Sequence, residues 1–313
     1  MKKITRTEAA DFLRAHNRFA IVTHQRPDGD TLGSAAVLCR GLRQLGKTAH
    51  ILENPEITER YAPLCAGLTK KEAEPGDTVV CVDVAAPRML PACFAGLEIP
   101  LRIDHHETGD SFAQLELVEP DAAATGEVVY GVLQLMGVVL DKPIAEALYT
   151  AVSTDTGCFR YANTTANSFA VAADCVNAGV DVFTRNQELF ETNSLGRLRL
   201  QGYMVENAVF SHGGAAVICA IPLSVERELA LMEDDMENIS GFPRTISGVK
   251  VAATLREIPG GSKLSVRAVP GYDAGKVCAT FGGGGHAGAA GANLPCAGDE
   301  AIDLVQKAID KIM

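Results

Sequence analysis

No Cys-x-x-Cys pair occurs in this chain of 313 residues, and its nine cysteines stand singly. Most lie inside apolar runs, as in Val37-Leu38-Cys39, Val80-Cys81-Val82 and Val217-Ile218-Cys219. They read as reduced core residues, which excludes a disulfide framework and a thiolate zinc site. No stretch approaches the roughly 18 apolar residues of a membrane span. The first residues carry Arg6, Glu8, Asp11 and Arg14 where a signal peptide needs an apolar centre. A cytoplasmic protein with no membrane partner is therefore expected. Excess positive charge is also missing: 28 Lys and Arg stand against 39 Asp and Glu, a net charge of −11. Because neutralising phosphates with Lys and Arg supplies most affinity for long nucleic acid, an extended nonspecific groove is excluded. Short phosphorylated ligands stay open, since bound metal ions would offset the charge locally. The glycine-rich run Phe281–Gly291 lacks the Gly-Lys-Ser/Thr of a P-loop and a GxGxxG fingerprint in a strand-to-helix turn, and the chain has no repeat at a fixed period.

What is present is a globular composition, 47% hydrophobic and 21% charged. The length favours two domains with separate cores. In the first half, short apolar runs alternate with helical patterns, the sign of a mostly parallel sheet covered by helices. Strands are expected at Phe19–His24, Thr48–Leu52, Thr78–Val84 and Leu101–Ile103, and helices at Thr31–Leu45, Thr125–Met136, Pro143–Val152 and Ala166–Ala178, the last closed by Gly179. Strands at Ala215–Ile221, Val249–Ile258 and Lys263–Val269, a glycine-rich loop and a helix from Asp299 to Ile312 suggest a smaller α/β domain. The expected division is a catalytic domain over 1–185, a polar helical connector over 186–208 and a second domain over 209–313.

Acidic residues and histidines gather where strands should end, the place where ligands bind in such sheets. His24, Asp28 and Asp30 follow the first strand, with Pro27 and Gly29 bending the chain. Two carboxylates this close suit neighbouring cations, since like charges otherwise raise each other's pKa. An Asx turn capping the next helix is the alternative. Asp83 ends an apolar strand, where an unpaired charge is expensive to bury. It is a candidate to bridge two metals through its two oxygens, with a salt bridge to Arg88 as the alternative. Asp104-His105-His106 follows the fourth strand. Imidazole and carboxylate donors together fit Mn²⁺, Fe²⁺ or Zn²⁺. Adjacent histidines on an extended segment project to opposite sides, one to a metal and one to a substrate phosphate. Asp155, in Ser153-Thr154-Asp155-Thr156-Gly157, is counted as a further strand-end acid, with Arg160 nearby as a forked anion contact. Near the C-terminus, Phe281 to Gly291 strips away nearly every side chain. The backbone of Gly283, Gly284 and Gly285 can then approach an anion, with His286 as a further donor and Arg267 as a second phosphate contact. The remaining histidines, His16, His50 and His212, read as surface or structural residues.

The ordered set THxxPDGD, VDV, DHH, STDTGxFRY and GGGGHxxAAG resembles the DHH/DHHA1 phosphoesterases, in particular the short form comprising nanoRNases (oligoribonucleases) that also act as pAp phosphatases and linear dinucleotide phosphodiesterases. The resemblance implies an α/β fold in which a larger, mostly parallel-sheet DHH domain holds two Mn²⁺ ions and a smaller α/β DHHA1 domain lies across an active-site cleft. Carried over by motif, His24, Asp28 and Asp83 bind one metal and Asp30, His105 and Asp155 the second, with Asp83 bridging. His106 contacts the scissile phosphate or assists the leaving group, and Arg267 and His286 hold a phosphate or base. Two departures blur substrate preference: His286 is followed by Ala287-Gly288-Ala289 and Arg267 by Ala268, where relatives often place polar residues. The implied substrates are short RNA, dinucleotides such as pApA or pGpG, and pAp, with no long nucleic acid as partner. Inorganic pyrophosphatase or polyphosphatase is the alternative enzyme, and a catalytically idle nucleotide-binding protein the alternative of a different class. A homodimer remains among the assemblies that the sequence allows.

Overall fold

A computed structural model describes residues 1–313. In chain order the first unit contains β1 (Lys2–Lys3), α1 (Arg6–Ala15), β2 (Arg18–Val22), α2 (Gly29–Gln44), β3 (Thr48–Leu52), β4 (Thr69–Lys70), β5 (Thr78–Val82), β6 (Leu101–Asp104), β7 (Leu115–Val118), α3 (Thr125–Leu135), α4 (Lys142–Asp155), α5 (Ala166–Asn177) and α6 (Val182–Asn186). Its seven strands form one parallel sheet in the order β1-β7-β6-β5-β2-β3-β4. Central strands such as Phe19-Ala20-Ile21-Val22 are buried on both sides, as continuous apolar runs require. The chain moves from β2 outward through β3 to β4, then returns to place β5 on the other side of β2. That reversal is a switch point, and the segments after β2 and β5 open there.

The helices all pack on one face, against Phe19, Ile21, Ile51, Val80, Val82, Leu101 and Ile103. The opposite face, with Ala20, Val22, Leu52, Val79 and Cys81, is covered by loop residues such as Phe94, Ile99 and Ala113. Helical cover on the first face draws α2, α3 and α4 close together through small residues. A Cβ on Gly33 would meet the Ala147 carbonyl oxygen at 2.7 Å, and one on Gly126 would meet Ala151 Cβ at 2.7 Å. These contacts bring the start of α2, the start of α3 and the end of α4 to the same place.

The second unit contains α7 (Leu195–Glu206), β8 (Val209–Ser211), β9 (Ala216–Ile221), α8 (Leu223–Glu228), α9 (Glu233–Met236), β10 (Val251–Ile258), β11 (Gly261–Ala268), α10 (Ala274–Ala279), β12 (Gly284–His286), β13 (Ala289–Leu294) and α11 (Gly298–Ile309). Its six-stranded sheet has the order β12-β13-β11-β10-β9-β8, with only β9 and β10 parallel. Leu264, Val266 and Ala268 join Val277 and Val305 in one core, while Leu200, Met204, Val217 and Ile221 build a second on the other face.

The units divide between Thr192 and Asn193, so the expected connector is shared. A π-helical turn over Gln187–Glu191 falls in the first unit, and α7 packs with β9 in the second. The glycine-rich run is no loop: β12 and β13 form a hairpin, with Gly284↔Gly291 and His286↔Ala289 paired. A Cβ on Gly283 would lie 2.2 Å from the Gly291 carbonyl oxygen, so its glycine is needed for strand approach. No helix is long and apolar enough to cross a membrane. Gly33→Val should lower stability by about 3 kcal/mol through overpacking of α2 on α4. Urea unfolding measures this, and an unchanged midpoint would contradict the tight packing.

Candidate metal centre

Each functional side chain arrives on a different element. His24 follows β2, where its Nδ1 lies 2.6 Å from the Gln25 carbonyl oxygen. Its Nε2 therefore faces Asp83 Oδ2 at 3.6 Å and Asp28 Oδ1 at 4.0 Å. Asp28 also caps α2, accepting the Thr31 amide, so the Asx-cap alternative and a place in the cluster hold together. Asp30, in the first turn of α2, is fully shielded. Its oxygens accept the Thr125 and Gly126 amides at 2.7 and 3.0 Å, with Ser34 Oγ at 2.9 Å. The start of α3 thereby presents its positive end to a carboxylate.

Asp83 follows β5 with a left-handed backbone, φ +59°. Thr31 Oγ1 donates to its Oδ2 at 2.5 Å and Thr125 Oγ1 to its Oδ1 at 2.9 Å. Oδ2 thus looks towards His24, and Oδ1 lies 3.8 Å from His105 Nε2 and 3.7 Å from His106 Nδ1. Arg88, the expected salt-bridge alternative, pairs with Asp110 instead. His105 repeats the pattern of His24. Its Nδ1 lies 3.1 Å from the Ala122 carbonyl oxygen, leaving Nε2 facing Asp155 at 3.5 Å and Asp30 at 3.9 Å.

Two expectations need correction. Asp155 is the last residue of α4, not a strand end. Close contact of α4 with α2 delivers it. His105 and His106 do not project to opposite sides. Strand β6 stops at Asp104, whose Oδ1 accepts both following amides and curls the chain around itself. The two rings consequently lie edge to face, 4.9 Å apart.

Three donor groups result: His24, Asp28 and Asp83; Asp30, His105 and Asp155; Asp83, His105 and His106. Burial, followed by the charges of Asp83, Asp155 and Asp28, raises the Asp30 carboxyl well above its ordinary value. Burial pushes Asp155 up to about 7, with His105 opposing and Asp83 and Asp28 reinforcing. Carboxylates that resist joint ionisation, facing imidazoles whose Nδ1 atoms are engaged and whose Nε2 atoms are directed inward, fit divalent cations. Burial opposes a charge on His106, but the Asp104 hydrogen bond and the charges of Asp83, Asp104 and Asp155 outweigh it and raise the ring to about 9.

Arg160 gives its Nε to the Gly157 carbonyl and lays its guanidinium 6.0 Å from the Phe190 ring centroid, rather than against a carboxylate of the cluster. In the second unit Arg267 is paired with Ala289 and Ala289 with His286, so Arg267 and His286 share a row across β11, β13 and β12. This row is on the side opposite Val266 and Ala290 of the core. His286 Nδ1 accepts the Gly288 amide at 3.2 Å. The other histidines serve structure: His16 Nδ1 lies against the Phe12 carbonyl, His50 beside Asp77 in the interior, and His212 on Asp310.

Sequence reasoning missed the groups that hold the ligands in place. Thr31 and Thr125 grip Asp83, and Asn54 donates to Thr23 Oγ1 and the His24 carbonyl. Only Thr31 left a local sign, three residues after a capping Asp.

Residues 18–152 match the DHH family, N-terminal domain, and residues 220–313 match the DHHA1 domain. A relative from Thermus thermophilus, named Bifunctional oligoribonuclease and PAP phosphatase NrnA, is 35% identical over 92% of this chain and 88% of its own length. The chain belongs to the DHH/DHHA1 phosphoesterase family. A Bacillus subtilis member of the same name is 23% identical over 92% of this chain and 93% of its own. The DHH/DHHA1 fold is shared with an exopolyphosphatase-related protein from Bacteroides fragilis. That structure has a TM-score of 0.84 at 24% identity and covers 98% of this chain and 95% of that one.

The raised carboxyls of Asp30 and Asp155 make the fold's stability depend on pH. Their stabilising effect is fully present below the unfolded carboxylate pKa and is lost as pH rises through the folded values. The metal-free protein should therefore lose several degrees of Tm between about pH 5 and pH 8. A saturating divalent cation should remove the decline, and calorimetry of both forms checks it.

Proposed function

We propose that this protein is a divalent-metal hydrolase that cuts short oligoribonucleotides and linear dinucleotides such as pApA or pGpG to mononucleotides and removes a phosphate from pAp. The observation that carries this reading is Asp83, whose two oxygens face separate sets of metal donors. The printed activity of the Thermus thermophilus relative supports the substrate class. In this reading His24, Asp28 and Asp83 hold one cation and Asp30, His105 and Asp155 the other, with Asp83 shared. Mn²⁺ suits the mixed imidazole and carboxylate set. When bound, the two cations supply the charge that activates water near neutral pH and offsets the phosphoryl oxygens.

The protein's own groups do the positioning. Thr31 and Thr125 fix the plane of Asp83. His106 donates its Nδ1–H to Asp104 Oδ1. Its Nε2–H is then the donor offered to the scissile phosphate or to the leaving oxygen. Arg267, His286 and the backbone of Gly283, Gly284 and Gly285 are assigned to a phosphate or base of the substrate. Arg160 is assigned to buttressing the turn after Asp155. The pyrophosphatase alternative lacks support from the second unit, which matches DHHA1. The idle-binder alternative leaves the crowded carboxylates without a purpose.

Asp83→Ala should lower kcat/KM beyond the roughly 10–100-fold typical of losing a group outside the ligand set. Arg267→Ala removes one charged contact, and should cost roughly 10- to 150-fold. Steady-state kinetics of the two variants on pApA with Mn²⁺ test the order, and an active Asp83→Ala enzyme defeats the shared-ligand assignment.

A net charge of −11 also sets a length limit. RNA of about two to five nucleotides should be hydrolysed at least about tenfold faster than a 24-mer, because so strong a negative charge opposes the binding of a long phosphate strand. Initial rates on 5′-labelled RNA at fixed salt provide the measurement, and rates that stay level with length would defeat the short-substrate reading.

A further inference from the structure

Behind His106 runs a line of buried charge that metal binding does not require. Arg102 occupies the middle of β6 with its side chain 4% exposed, a position where an unpaired guanidinium would be costly. Nε donates to Asp104 Oδ2 at 3.1 Å, Nη2 donates to the same oxygen, and Nη1 donates to the Asp110 carbonyl at 3.1 Å. The Phe112 ring centroid lies 5.1 Å from the guanidinium. On β7 the register partner Glu116 places a carboxylate oxygen 3.8 Å from Nη1. Glu116 is itself fixed by Ser111 Oγ and the amides of Phe112 and Ala113 at 2.6, 2.8 and 3.2 Å. Asp104 turns its other oxygen to His106 Nδ1 at 2.7 Å and to the amides of His105 and His106.

The string Glu116, Arg102, Asp104 and His106 therefore alternates in charge from the sheet interior to the cluster. Asp104 is saturated: one oxygen belongs to Arg102 and the other to the turn that carries His106. Without Arg102, Oδ2 would be bare in the interior and the carboxylate free to rotate away from the ring.

We propose that Arg102 is a positioning residue that, through Asp104, holds the Nδ1–H of His106 and fixes the ring's orientation, so that Nε2–H of the imidazolium is the donor presented to the leaving oxygen. The inference rests on the function proposed above and names the residue on which the leaving-group step depends. In that step the breaking P–O bond leaves its electron pair on the leaving oxygen, which takes the Nε2 proton. The attacking water forms the new P–O bond, and the proton it sheds restores the ring.

The experiment compares wild type with Arg102→Met, Arg102→Lys and the charge-balanced double variant Arg102→Met/Glu116→Gln, which serves if the single Met variant does not fold. Two esters are used with Mn²⁺: pApA, whose ribose leaving oxygen needs a proton, and the p-nitrophenyl ester of AMP, whose leaving group departs without one. Loss of Arg102 should lower kcat on pApA by roughly 10²-fold. KM and the p-nitrophenyl rate should stay within about threefold of wild type, and Lys should recover part of the loss, because only general-acid assistance is removed. The downfield Nδ1–H proton resonance of His106, assigned by its loss in His106→Gln, should disappear with Met and persist with Lys. Equal losses on both esters, or an unchanged resonance in the Met variants, would overturn the proposal. Wild type inert to both esters would refute the functional reading, while the resonance still decides the role of Arg102.

Discussion

Four carboxylates are forced to share one largely shielded space, and much of the first unit is arranged around that constraint. Left to themselves, Asp28, Asp30, Asp83 and Asp155 would repel one another. The structure distributes the charge over groups already available in the fold. The amides at the start of α3 take Asp30, the hydroxyls of Thr31 and Thr125 take Asp83, and the inward nitrogens of two imidazoles face what remains. Burial first, and then the repulsion this compensation leaves, make Asp30 and Asp155 retain protons more readily than exposed acids do.

The architecture supplies the convergence. Parallel strands point their C-terminal ends the same way, and the reversal between β2 and β5 opens a space there for three successive strand exits. A sheet alone would leave Asp155 outside. It is brought in by three helices meeting through glycine and alanine, so residues with almost no side chain are as necessary to the centre as its ligands.

Much of this was legible in the sequence because burial and chirality leave strong traces. The run Thr78-Val79-Val80-Cys81-Val82 reads as a strand buried on both faces, and the strand over Thr48–Leu52 was located to the residue. All six candidate ligands come together. The unread part is non-local. Nothing near Thr125 says that it will meet Asp83, because that encounter depends on how α3 packs. The hairpin from Gly284 to Leu294 was invisible for a different reason. Glycine carries no strand preference, and its pairing there follows from close backbone approach to Gly291 and Ala290. Adjacent histidines were read with strand geometry one residue too far, where Asp104 already turns the chain.

The left-handed backbone of Asp83 has a further consequence, for the routes by which this enzyme can change. At such a φ, Gly, Asn and Asp are accommodated most readily, while branched or bulky residues strain the chain. Glu would have to accept both the strain and an extra methylene inside the cluster. The backbone therefore narrows the choice before chemistry does, and of the readily accommodated residues only Asp carries a charge. Drift at this position leads out of metal chemistry in a single step, whereas a gradual exchange of one anionic ligand for another is closed by geometry.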